Sequence, residues 1–334
     1  MSTLEKLERV SLEIFGGCNY NCKMCPQSTG RGSDFTKKMP IDLFESILDD
    51  ITPKYGHPVI NLQGSGEPSI VKDLPKYIEA CSKRGLKSYM YTNGSHFSGS
   101  RMKDSIDAGL SYVRFSCIGY DRDTYKEWMS KDNFDLIRSN AIDVKQYIKE
   151  SKSSCELSSY HLVIDGNNTE YEIDQYRKNF INFVGTTGYI WKMHNWSGNY
   201  APQYFFRKPD DTTTQKKRTC GRPFAPELTV RAGGVDGQRA AVTPCCMTLG
   251  PPNESKSILG HLDSQSIEDV WYGEKYKNLR DLHAREEFDS IDYCKNCDFL
   301  IEDPEVLVWS NDEDSKINHI IGTNVHFDNY QQNQ

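Results

Sequence analysis

Residues 10–15 (Val-Ser-Leu-Glu-Ile-Phe) alternate apolar and polar positions, the pattern of a β-strand. Pro40 then opens a helical pattern with Leu43, Phe44, Ile47 and Leu48 on one face. Residues 58–63 read as a strand followed by a glycine-rich turn, and 73–84 as a helix stopped by Gly85. A strand over 87–92 ends at Asn93-Gly94, a helix over 100–108 closes at Gly109, and a strand follows over 112–117. A long helix over 134–150 carries Phe134, Ile137, Ala141 and Val144 in register. After a strand over 157–164, Ile173, Tyr176, Phe180 and Val184 mark a helix over 170–184, and a last strand spans 188–193. Six strands thus alternate with helices, which predicts parallel βαβ units in an open doubly wound sheet or a barrel. Either places an active site at the C-terminal ends of the strands.

The pattern changes near Trp196. Residues 1–196 form the first domain in this reading, 197–218 a polar linker, 219–300 a smaller α+β domain and 301–334 a polar C-terminal extension. Within the smaller domain, residues 227–243 flank Gly233-Gly234-Val235-Asp236-Gly237 as a hairpin, and Ser266-Ile267-Glu268-Asp269 resembles a capping box before a helix to about residue 285.

The chain has 334 residues and a net charge of −7, which argues against nucleic-acid backbone binding. No stretch reaches the ~18 apolar residues of a membrane span. Met1 to Lys6 lack an apolar export region, so a cytoplasmic location is expected. The outlier is cysteine: eleven, an odd count that in a cytosolic chain favours metal or redox chemistry over disulfides.

Three cysteines stand together in Gly17-Cys18-Asn19-Tyr20-Asn21-Cys22-Lys23-Met24-Cys25-Pro26, just after the first strand. Three thiolates on one tight loop can hold three irons of a four-iron cluster and leave the fourth open to a small molecule. A zinc ion with one remote ligand is the alternative. Gly64-Ser65-Gly66-Glu67-Pro68 follows the second strand, Tyr91-Thr92-Asn93-Gly94 ends the third, and Arg114-Phe115-Ser116-Cys117-Ile118-Gly119 ends the fourth. His194 and Trp196 close the sixth, after Tyr189. Alternation turns Cys117 away from Ser116, and Cys81, Cys117 and Cys155 read as core.

These motifs resemble those of the radical S-adenosylmethionine (SAM) superfamily, whose fold is a partial (β/α)6 TIM-like barrel. The resemblance implies that Cys18, Cys22 and Cys25 ligate a catalytic 4Fe-4S cluster. SAM would chelate the open iron and, on reduction, yield a 5′-deoxyadenosyl radical that abstracts a hydrogen from substrate. Gly64, Ser65, Gly66 and Glu67 match the family's Gly-Gly-Glu-Pro motif at the SAM ammonium, with serine for one glycine. Asn93 matches its Thr-Asn-Gly, Ser116 the serine at the SAM ribose, and Met24 stands where an aromatic near adenine is usual. Flavodoxin or ferredoxin is the implied electron donor.

A second set comprises Cys220, the adjacent Cys245 and Cys246, and the pair Cys294 and Cys297. Four thiolates close either a four-iron cluster or a structural zinc site, and the spacing leaves both open. The region resembles the SPASM/Twitch extension of radical SAM enzymes: Cys-x-x-Pro-Phe at Cys220, Asp236-Gly237 before Pro244-Cys245-Cys246, Leu259-Gly260-His261, and the final Cys-x-x-Cys. That resemblance implies the short form with one auxiliary 4Fe-4S cluster on Cys220, Cys245, Cys294 and Cys297, with Cys246 as an alternative to Cys245.

The layout resembles butirosin-type aminocyclitol dehydrogenases. It implies dehydrogenation of a sugar, polyol or aminocyclitol, with the auxiliary cluster as electron acceptor. Modification of a ribosomal peptide, and redox-neutral epimerisation or deoxygenation, are the alternatives. His194, Arg114 and Tyr189 are the candidate catalytic residues, with Arg101 and Arg222 as further candidates.

Overall fold

The computed structural model describes residues 4, 6–30, 32–198, 219–250, 253–300 and 306–309. Its strands are β1 (Arg9–Leu12), β2 (Val59–Asn61), β3 (Ser88–Thr92), β4 (Leu110–Ser116), β5 (Glu156–Val163), β6 (Thr187–Lys192), β7 (Glu227–Val230), β8 (Ala241–Thr243), β9 (Gly260–His261) and β10 (Val306–Trp309). They form one sheet in the order β10-β6-β5-β4-β3-β2-β1-β7-β8-β9. Strands β1 to β6 are parallel, in chain order. A doubly wound sheet reverses its order at a switch point, whereas a barrel does not. The alternation therefore builds a partial TIM-like barrel, as expected.

The connecting helices are α1 (Ile41–Tyr55), α2 (Leu74–Ser82), α3 (Gly99–Asp107), α4 (Arg122–Met129), α5 (Phe134–Ser151), α6 (Thr169–Tyr176) and the short α7 (Asn182–Val184). In α1, Phe44, Ile47, Leu48 and Ile51 are buried at helical spacing, which presses one stripe against the sheet. Helix α4 was not anticipated from the pattern, yet it carries its own start signal: Asp121 and Thr124 form a capping box. The helix expected over 170–184 is interrupted, because residues Arg177–Ile181 form a π-turn between α6 and α7.

The C-terminal part continues the sheet. Strand β7 pairs in parallel with β1, and β8 and β9 follow antiparallel. Three helices complete it: α8 (Asn253–Lys256), α9 (Ile267–Trp271) and α10 (Glu274–Ala284). The Ser266–Asp269 capping box is present, but the expected single helix breaks at Gly273 into α9 and α10. The linker expected over 197–218 lies, from residue 199 on, outside the described residues. Within the expected polar extension over 301–334, β10 pairs antiparallel with β6 and buries Leu307 and Val308. Enough apolar side chains sit in that short run to make it a strand once an open sheet edge is available. None of the described helices is long and apolar enough to cross a membrane.

One buried pair fastens the two parts. Glu13, one residue past β1, and Arg231, one past β7, are both fully buried, with Nη1 and Oε2 3.9 Å apart. Arg231 also donates to the Cys245 carbonyl at 3.3 Å, and Glu13 accepts from Ala232 N at 3.1 Å. Removing one partner of such a pair leaves an uncompensated buried charge. Arg231→Met is expected to cost about 3–5 kcal/mol in anaerobic denaturant unfolding. Glu13→Gln with Arg231→Met is expected to recover part of that loss.

Candidate active site

The first three thiols lie on the loop that leaves β1. Its backbone folds on itself, with Cys25 N donating to Cys22 O and Ser28 N to Cys25 O, at 3.0 and 2.9 Å. The loop leans on the end of α4: Lys23 N donates to Trp128 O at 2.8 Å, and Cys22 Sγ lies 3.7 Å from Met129 Sδ. Met24 is buried in the core. Burial raises the Cys18 thiol to about 12, assisted by the negative charges of Glu67 and Cys25. Burial, then Cys25 and Cys18, also raise Cys22. The three thiols therefore lie close enough to act on one another, and held as thiolates they would call for positive charge.

The loop after β2 is pressed against this cysteine loop, and two glycines make the approach possible. A Cβ on Gly66 would lie 2.0 Å from Phe15 O and 2.6 Å from Gly17 O. One on Gly64 would lie 1.9 Å from the Glu13 carboxylate. Ser65, between them, donates its N–H and hydroxyl to Glu13 at 2.6 and 2.7 Å. Gln27 bridges the two loops by accepting from Cys18 N and donating to Ser65 O. Glu67 is buried and accepts from Ser69 N, Thr92 Oγ1 and Asn93 N at 2.9, 2.5 and 2.7 Å. Burial pushes its carboxyl up, and these three residues oppose the shift. Asn93 in turn donates to Asn19 Oδ1 at 2.9 Å, which returns to the cysteine loop. The structure thus brings Cys18, Cys22, Cys25, Gly64, Ser65, Gly66, Glu67 and Asn93 into one hydrogen-bonded rim.

The lumen below this rim is defined by register. Tyr91 pairs with Arg114, Arg114 with Ser158, Ser116 with Tyr160 and Tyr160 with Tyr189, so these side chains share a face. The opposite face carries fully buried Met90, Val113, Phe115 and Ile190. Tyr112 and Ser158, on the adjacent strands β4 and β5, hydrogen-bond to each other. Tyr189 is raised by burial, with Arg114 opposing, so its phenol holds its proton at neutral pH. Arg101 donates to the Ser69 carbonyl at 2.7 Å and supports the rim. His194 is buried past the end of β6, 4.3 Å from the Trp196 ring centroid and 5.7 Å from that of Phe299.

The second thiol set closes on the same side. Asn195, next to His194, donates to Asn296 O at 2.6 Å and accepts from Asp298 N at 3.2 Å, clasping the Cys294–Cys297 turn to the end of β6. Burial raises Cys294 and Cys297 well above the usual thiol range, and both feel Cys220 and Cys245. Burial also raises Cys245, to about 11, against the Arg222 guanidinium. The adjacent Cys246 takes a hydrogen bond from Arg222 at 3.6 Å, and the same guanidinium acts on Cys245 and Cys220. Among the described residues no three His, Cys, Asp or Glu side chains gather to hold a single metal ion. Two sets of soft donors match iron–sulfur clusters. The first set offers three thiols and the second four that act on one another.

Several of these residues carried no sequence motif. Glu13 and Arg231 are charges within otherwise apolar strand-like runs, which is the signal that marks them. Gln27 and Asp298 carry none, because their roles exist only across loops.

Comparison with known proteins bears on both halves. The radical SAM superfamily model matches residues 12–174, and an iron–sulfur cluster-binding domain model, SPASM, matches residues 235–298. Fe-coproporphyrin III synthase of Methanosarcina barkeri is 30% identical over 102 residues, 30% of this chain and 25% of that protein. The chain covers less than half the length of the first such relatives, at 25%, 44% and 44%. BtrN in complex with AdoMet and 2-DOIA superposes with a TM-score of 0.58 at 15% identity, covering 97% of this chain and 99% of that one. Streptococcus suis SuiB bound to precursor peptide SuiA gives 0.59 at 13%, covering 83% and 67%. The structural likenesses show a shared fold.

The turn that presents Cys220 depends on a neutral histidine. His283 pairs with Thr219 Oγ1 at 3.1 Å and packs against the edges of Phe224 and Phe288. Burial lowers its pKa from 6.5 to about 4. The unfolded chain then binds this proton before the folded one does. Stability is full above pH 6.5 and is lost as pH falls towards about 4. Between pH 7 and 5 the loss is expected to be about 2 kcal/mol, read as the difference in unfolding free energy from His283→Gln.

Proposed function

We propose that this chain, which carries a radical SAM domain followed by an iron–sulfur cluster-binding SPASM domain, oxidises a carbinol carbon of a sugar, polyol or aminocyclitol. One observation carries the reading. The lumen face carries phenols and hydroxyls (Tyr91, Tyr112, Ser116, Ser158, Tyr160 and Tyr189), and Cys246 of the second cysteine group acts on Tyr160. Phenols and hydroxyls match the hydrogen-bonding groups of a polyol, and their rings suit its C–H faces. SAM and the clusters, when bound, supply the carbon radical that takes the substrate hydrogen and an acceptor for the second electron.

In this reading Cys18, Cys22 and Cys25 hold the catalytic cluster. Glu67, through Ser69, Thr92 and Asn93, keeps the rim around SAM in shape. Ser116 meets the SAM ribose, and Met24 packs beside adenine. Cys220, Cys245, Cys294 and Cys297 hold the auxiliary cluster, with Cys246 as the alternative to Cys245, supported by the action of Cys220 and Cys245 on both Cys294 and Cys297. His194 is the proton acceptor for the hydroxyl. Tyr189, protonated at neutral pH, donates a hydrogen bond instead. A flavodoxin or ferredoxin supplies the first electron.

Iron and sulfide content tests the ligand sets. After anaerobic reconstitution the wild type is expected to hold about eight irons, and the Cys18/Cys22/Cys25 triple alanine variant about four. Cys245→Ser is expected to lose the auxiliary cluster's signal in paramagnetic resonance, while Cys246→Ser retains it. Loss with Cys246→Ser alone would exchange the two assignments.

Deuterium transfer tests the substrate class. With SAM, dithionite and carbon-deuterated sugars or polyols, the 5′-deoxyadenosine formed is expected to gain one mass unit from the true substrate class. Transfer from a deuterated peptide and from no polyol would replace this reading with peptide modification. A label that returns to an otherwise unoxidised product would replace it with epimerisation.

A further inference from the structure

Among the described residues Arg114 is a cation with no carboxylate paired to it. It stands on the lumen face of β4, two residues before Ser116. Its guanidinium carbon lies 3.8 Å from the centroid of the Tyr91 ring and 4.5 Å from that of Tyr160. Those rings come from β3 and β5, the strands on either side of β4. The ionisable groups that act on it most strongly are the phenols of Tyr91, Tyr112, Tyr160 and Tyr189. Its Nε is buried and meets no acceptor. Other enclosed arginines among the described residues also keep a buried N–H without an acceptor, but each has charged or carbonyl partners. Arg231 has Glu13 and the Cys245 carbonyl, Arg280 has the Pro223 and Trp271 carbonyls, and Arg138 has Asp135.

Withdrawing a guanidinium from water without an anion is costly, and two aromatic faces offset only part of that cost. The faces being taken, the N–H edge is what remains for a ligand. A guanidinium edge offers parallel donors in one plane, which a planar carboxylate accepts in bidentate fashion. A tetrahedral phosphate would carry oxygens above and below that plane, towards the flanking rings. Ser116, the residue assigned to the SAM ribose, lies about 7 Å further along the strand at 3.3–3.4 Å per residue. The anion at Arg114 therefore belongs to the molecule deeper in the lumen.

We infer that Arg114 binds a carboxylate of the substrate, which makes the substrate an acidic sugar or polyol rather than a neutral one. The inference rests on the lumen being the substrate site of the proposed oxidation. Arg114 is a binding residue in this account and takes no part in the proton transfer.

The test uses anaerobically reconstituted holoenzyme with SAM, titrated calorimetrically with D-glucuronate, D-glucose and D-glucose 6-phosphate. Glucuronate is expected to bind at least tenfold more tightly than glucose. Arg114→Met is expected to abolish that preference, and Arg114→Lys, which keeps the charge but loses the fork, to restore only part of it. Should Arg114→Met not fold, Arg114→Lys alone carries the comparison. Glucuronate binding no better than glucose, including no binding of either, overturns the inference. A preference for the phosphate overturns the carboxylate assignment. A tenfold loss of SAM affinity in the variants also overturns it, because the guanidinium would then serve SAM itself. Formation of 5′-deoxyadenosine by the wild type is measured on the same samples after addition of dithionite as the one-electron reductant. Its absence refutes the radical reading, whereas its presence with no carboxylate preference refutes only the role given to Arg114.

Discussion

The Glu13 carboxylate is the constraint on which the rest of the site depends. It is wholly buried, accepts from Ser65 twice and from Ala232, and faces Arg231. A carboxylate in that position must be surrounded by donors and a cation, so its neighbours are not free to move. Ser65 belongs to the loop beside the first thiols, and Arg231 reaches the carbonyl of Cys245 in the second set. The two thiol sets are thus referenced to one charged pair at the junction of β1 and β7. The continuous sheet supports the same junction, because β1 pairs with both β2 and β7.

Around that junction the protein separates two kinds of electrostatic surroundings. The rim collects buried sulfurs and carboxyls, Cys18, Cys22 and Glu67, each raised by burial. As thiolates and a carboxylate such a collection would be unfavourable without a cation, and the iron of a bound cluster would supply that charge. The lumen is the reverse, with one guanidinium set among phenols. Arg222 stands between the two. It donates to Cys246 and lies 5.1 Å over the Phe299 ring, at the edge where the second thiol set meets the barrel.

The barrel was legible because strand and helix periods differ, and six alternations of them leave few arrangements. The cysteine spacings were legible because clusters need several soft donors, and soft donors are rare. Gly64 and Gly66 were legible as a motif, although the reason for them, the nearness of Glu13 and of the Phe15 and Gly17 carbonyls, is visible only in three dimensions. Helix α4 and strand β10 escaped notice. The first is short and its capping box is Asp-x-x-Thr, and the second gains its apolar surroundings only from β6.

By itself the sequence determined what is local or compositional: the alternation of elements, the glycines of the second loop, and two groups of thiols on a chain without a membrane-length apolar run. Tertiary structure decided what depends on chain segments far apart. It joined Glu13 to Arg231 across 218 positions, brought Cys220, Cys245, Cys294 and Cys297 within electrostatic reach of one another, and set Arg114 against the Tyr91 and Tyr160 rings. The physical reason is that desolvation belongs to a place and not to a residue. Whether a carboxylate, a thiol or a guanidinium is costly, and what it then demands of its neighbours, is settled only when distant strands close around it.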